Sequence, residues 1–114
     1  MAEPSRLVLE VIYKADYCIP CVYMDEAVRE VLPRYPGVDY RKVAFMESTE
    51  HKRRFTELSI ALFGKEKVHR MEQLAPIPSI FIDGKLVFDM IPPRFELEAA
   101  IERALLDKDP TRHH

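Results

Sequence analysis

Ile80-Phe81-Ile82, followed by Asp83-Gly84 and then Leu86-Val87-Phe88, constrains the fold of this chain more than any other stretch. Asp-Gly between two apolar runs specifies a tight hairpin, because glycine tolerates the positive φ that the turn demands. An antiparallel strand pair therefore lies late in the sequence. Upstream, residues 6–14 are rich in Leu, Val, Ile and Tyr and read as a buried strand. From Cys18 to about Leu32 the spacing predicts a helix with Met24, Ala27, Val28 and Val31 on one face, stopped by Pro33, Pro36 and Gly37. Val38 to Phe45 alternates and reads as a second strand. Two strands joined through a helix pair in parallel by a right-handed crossover, whereas the hairpin adds antiparallel strands. The chain is thus an α/β protein with a mixed sheet.

Ser48 is placed to cap a second helix, since its hydroxyl can accept an unpaired backbone N–H, and Phe55, Leu58 and Leu62 continue at helical spacing. Gly64 either ends or interrupts this helix, and Lys65 to Leu74 is a further helical stretch or its continuation. Pro92-Pro93 opens a last helix whose apolar face is Leu97, Ala100, Ile101, Ala104 and Leu105, with Glu96 and Glu98 suited to its first turn. The order is β-α-β-α-β-β-α, a four-stranded mixed sheet with about three flanking helices.

The 114 residues fit one domain, residues 1–114. A net charge of −2, with acids and bases interleaved, excludes the basic face of a nucleic-acid binder. The cluster His51-Lys52-Arg53-Arg54 is flanked by Glu47, Glu50 and Glu57 and reads as a solvated helix face. No apolar run approaches the ~18–20 residues of a membrane span. The first residues are acidic and do not read as a signal peptide, so the expected compartment is the cytoplasm, with no membrane and no nucleic-acid partner. His113 and His114, which could be the remnant of a purification tag, are set aside from site reasoning.

The only two cysteines, Cys18 and Cys21, sit where the first strand gives way to the first helix. The thiolate is the reactive form, and the positive end of a helix lowers a thiol pKa below its free value of ~8.5. Spacing i, i+3 on a first helical turn brings both sulfurs close enough to bridge, and the second cysteine can then attack a mixed disulfide formed by the first. Pro20 fits early in the helix, where its missing N–H costs little. Two other readings stand beside dithiol exchange. Half a zinc site would need two more ligands, and there is no second cysteine pair, while His51 and His69 lie far apart. Two inert core cysteines are the other, although inert cysteines rarely coincide with a helix start. Before the hairpin, Ala75-Pro76-Ile77-Pro78-Ser79 forces extended backbone, which suits an ordinary strand entry.

Strand, Cys-Ile-Pro-Cys on a helix, and Ile77-Pro78-Ser79-Ile80-Phe81-Ile82-Asp83-Gly84 downstream together resemble the thioredoxin and glutaredoxin superfamily, over residues 6–106. The resemblance implies a four-stranded mixed sheet with three helices, Cys18 as nucleophile and Cys21 as resolving cysteine. It also implies a cis Ile77–Pro78 bond facing the dithiol and the backbone of Ile77 pairing with an extended substrate segment, which is strand addition at the site. Tyr17 stands where thioredoxins carry Trp and is a candidate substrate contact; Ile12 stands where they carry a buried Asp. Lys14, Asp16 and Pro20 are candidates for tuning Cys18. Glutaredoxins have a Gly-Gly pair where this chain reads Phe88-Asp89-Met90-Ile91-Pro92-Pro93, which argues against glutathione as a cofactor, although Lys14 could stand in for a glutathione-carboxylate contact.

The resemblance implies an enzyme exchanging its dithiol with disulfide-containing proteins or small molecules, re-reduced by a reductase or a small thiol, with no metal or other cofactor. Proline before the second cysteine resembles the reducing members, so the expected potential lies nearer ~−270 mV than ~−120 mV. The alternatives are a thioredoxin-fold binding or redox-sensing module without turnover, and an iron–sulfur-ligating glutaredoxin-like protein.

Overall fold

Apolar alternation and turn chemistry produce four strands and four helices in the structure, a computed structural model that describes residues 7–108. His113 and His114 lie outside the described residues. The elements are β1 (Leu7–Tyr13), α1 (Ile19–Val31) continued by a 3-10 turn (Leu32–Arg34), β2 (Val38–Ala44), α2 (Thr49–Phe63), α3 (Lys65–His69), β3 (Ser79–Ile82), β4 (Lys85–Phe88) and α4 (Arg94–Lys108). Four helices replace the three expected. Gly64, at φ 91°, closes α2 by donating its N–H to Ile60 C=O and starts α3 in the same step. The second helical stretch then stops at His69 rather than Leu74, because Met71 turns into the left-handed region.

The sheet order is β2-β1-β3-β4. β1 runs parallel to β2, with Leu9 opposite Tyr40 and Tyr13 opposite Ala44, and antiparallel to β3, with Ile12 opposite Ser79. β3 and β4 form the hairpin, and Asp83 (φ 49°) and Gly84 (φ 82°) both take the positive φ of a type I′ turn. Asp83 also ties the hairpin tip to its neighbours. Its carboxylate accepts from Val8 N–H (2.9 Å) and pairs with Lys108 Nζ (2.9 Å).

Alternate residues of each strand face opposite layers. Leu9, Val11, Ile80 and Ile82 pack beneath α1 and α4 with Met24, Val28, Leu97 and Ile101. Ile12, Val43 and Phe81 pack beneath α2 with Phe55 and Leu58, where Phe45 stacks on Phe55 at 4.4 Å between ring centroids. Ser48 caps α2 as expected, its hydroxyl accepting from His51 N–H (3.2 Å). Glu10 is the exception in this second layer. It is buried in the central strand, and the Arg54 guanidinium holds both of its oxygens at 2.7 and 2.8 Å while reaching Glu57 at 3.0 Å. Among the described residues no helix is long and apolar enough to cross a membrane.

Candidate active site

β1 delivers the chain to a short loop at its C-terminal end, and α1 starts from that loop. Cys18 N–H donates to Ala15 C=O (2.9 Å), closing a turn that leaves Cys18 extended (φ −84°, ψ 100°) as the residue capping α1. Its Sγ accepts from Cys21 N–H at 3.3 Å, as a capping side chain does. Ile19 and Pro20 fill the first helical positions, where Pro20 forfeits no helical bond. The turn brings the Cα atoms of Cys18 and Cys21 to 5.2 Å, and the two residues form a disulfide.

The pair is asymmetric. Cys18 is partly open to solvent, whereas Cys21 is completely buried in the layer beneath α1, its Sγ accepting from Lys14 N–H at 3.4 Å. Around Cys18 the surface is apolar: Tyr17 and Ile19 are 68% and 56% exposed, and Tyr23 is exposed one turn along. Lys14 Nζ lies 5.8 Å from the Tyr17 ring centroid, and the Tyr17 hydroxyl touches Met46 Sδ at 3.7 Å. Met46 borders an open depression of ≈ 570 Å³ lined also by Phe45, Glu47 and Lys52. Another depression, of ≈ 500 Å³ and lined by Glu10, Arg41, His51 and Arg54, contains neither cysteine.

Ile77 and Pro78 immediately precede β3. Since Ser79 pairs with Ile12, they lie at the same end of the sheet as the loop carrying Cys18. The Ile77–Pro78 bond is cis and Ile77 is exposed. Two hydrogen bonds fix this segment: Ala75 N–H donates to the buried Ser59 hydroxyl (2.9 Å), and Ser79 O–H donates to Pro76 C=O (2.7 Å). Asp16 is exposed but engaged, accepting from the Tyr13 hydroxyl.

Sequence reasoning missed the polar cluster beneath α1. Asp25, buried one turn after Cys21, accepts from the Tyr40 hydroxyl of β2 and from Arg29 Nε (3.2 Å). Lys42 Nζ lies 4.3 Å from the Tyr13 ring centroid beside it. The available signal was spacing: Cys21, Asp25 and Arg29 recur every four residues and so share a helix face. Burial followed by the Asp25 hydrogen bond pushes the Tyr40 phenol up strongly. The hydrogen bond to Asp16, then burial, pushes Tyr13 up to about 12, and the bond to Glu102 does the same for Tyr35.

These raised phenols have a sign. The contribution of Tyr13 and Tyr35 to stability is complete below the unfolded value of 10.0 and is lost as pH rises through about 12. The thermal midpoint is therefore expected to fall across that window, and less steeply in Tyr13→Phe.

Compared with protein-family models and with curated proteins, the chain matches none. The structure defines a class: a small α/β domain with a mixed four-stranded sheet and a Cys-x-x-Cys disulfide at a helix start, compatible with a thioredoxin-like fold. Among the described residues, no three side chains of His, Cys, Asp and Glu are grouped as metal ligands.

Proposed function

We propose that this protein is a thiol–disulfide oxidoreductase of thioredoxin-like type. One observation carries the reading: a disulfide whose first sulfur caps a helix and is partly open, while the second is buried one turn below. A partly open sulfur at the positive end of a helix is the better thiolate and hence the nucleophile. In the reduced protein Cys18 attacks a substrate disulfide, one substrate sulfur leaves as thiolate, and Cys18 is joined to the other. Cys21 then loses its proton to solvent and attacks Cys18 Sγ. The protein disulfide closes, the second substrate sulfur leaves and takes up a proton, and two electrons have passed to the substrate.

Tyr17 and Ile77 supply apolar contact to the substrate in this reading, and the backbone beside Pro78 pairs with an extended segment. Lys14, Asp16 and Pro20 tune Cys18. The substrates are disulfide-containing proteins or small molecules, and a reductase or small thiol returns the electrons. The test is equilibration against graded dithiothreitol buffers, followed by thiol labelling and mass. A single two-electron transition nearer ~−270 mV than ~−120 mV is expected. A pair that never bridges overturns the reading.

A further inference from the structure

The buried carboxylate of Asp25 has no part in the scheme above. It lies on the inner face of α1, four residues after Cys21, where helical geometry sets side chains roughly 5–6 Å apart at Cβ. Both residues are buried against the sheet layer that contains Tyr40 and Tyr13, so solvent screens their interaction poorly. Two groups fix the carboxylate: the Tyr40 hydroxyl and the Arg29 guanidinium, the latter 65% exposed at its side chain.

The geometry points to Asp25 as a positioning residue that holds Cys21 in its thiol form until the resolving step. This rests on the dithiol reading above. A negative charge one turn from a buried sulfur disfavours a second negative charge there, and burial acts in the same direction. Cys18, at the helix start, is subject to neither effect in full. The two sulfurs are thereby driven apart in acidity: one is ready to attack, and the other stays protonated until a mixed disulfide forms beside it. In that step Cys21 releases its proton to solvent and the thiolate attacks Cys18, so Asp25 governs how the step depends on pH.

Most of the other charged groups near this site are engaged elsewhere, while the Lys14 N–H that donates to Cys21 Sγ works in the opposite direction. From the β1 end come Lys14, Tyr13 and Asp16, with Asp16 taken up by the Tyr13 hydroxyl. β2 contributes Tyr40 and Lys42, with Lys42 set over the Tyr13 ring. Glu47 adds negative charge near Tyr13. On the side of α4, Arg94 is paired with Glu30 and Glu98 with Arg34. Among the described residues, Arg29 is the cation in direct contact with Asp25.

The test isolates Cys21. In Cys18→Ser, serine preserves the cap and a single thiol remains, whose ultraviolet thiolate absorbance is followed against pH. Adding Asp25→Asn, which keeps an acceptor for Tyr40, is expected to lower the Cys21 midpoint by about one pH unit. Adding the surface change Arg29→Gln instead, which bares the carboxylate, is expected to raise it by a few tenths of a unit. Should the Asn variant fail to fold, the Gln variant still decides. An unchanged midpoint in the variants that fold, or shifts of the same sign, overturns the inference. The readout needs neither substrate nor a disulfide, so it is separate from the redox titration that tests the dithiol reading.

Discussion

Cys18→Ser is expected to abolish reduction of a disulfide substrate, with a loss of at least about a thousandfold, while the thermal midpoint stays near that of the reduced parent, which likewise lacks the bridge. Serine is a good helix cap and is nearly the shape of cysteine, so the fold has little reason to respond. The hydroxyl, however, is not ionised at neutral pH and cannot displace a thiolate. Cys21→Ser has a different phenotype. Attack by Cys18 is expected to proceed without resolution, so that the variant accumulates as a mixed disulfide, which mass spectrometry would detect as protein plus half-substrate. If Cys21→Ser turned over at the parental rate, or if the trap formed on Cys21 in Cys18→Ser, the assignment of nucleophile and resolving residue would be wrong.

The second large effect lies on the opposite face of the sheet. Arg54→Met leaves Glu10 buried in the central strand without its guanidinium, and breaking such a pair is expected to cost about 3 kcal/mol, since Arg54 is itself partly open. For a domain of this size that lowers the thermal midpoint by about 10 °C or more. The double variant Glu10→Gln with Arg54→Met removes the stranded charge and is expected to recover most of the loss. The recovery is the informative part: the cost of the single variant is that of an unpaired buried charge rather than of lost attraction. A double variant no more stable than Arg54→Met would contradict this.

The elements that were legible in the sequence are those whose cause is local. Asp83-Gly84 dictates its own turn, Ser48 its own cap, and Cys18 to Cys21 the bridge across one helical turn. The end of α3 was not legible, because a left-handed Met71 has no residue-type signature comparable to glycine's. Glu10 sits in an otherwise apolar strand; its partner stands 44 positions away on α2, and no pattern within β1 announces it. Asp25 was only half legible, since its spacing to Cys21 and Arg29 is local but its Tyr40 partner is not. The helix face of Met24, Ala27 and Val28 looks like plain core, and only the meeting of α1 with β2 shows that a carboxylate is accommodated among them by Tyr40.

Asp83 joins three distant parts of the chain at the hairpin tip: its own turn, the beginning of β1 through Val8, and the last turn of α4 through Lys108. Cys18 emerges from the other end of β1, about 20 Å along the strand. The molecule therefore has a tethering pole and a reacting pole. A label or electrode linker placed on the last turn of α4, which Lys108 holds against the hairpin tip, therefore sits on the side away from the dithiol and leaves Cys18 facing outward.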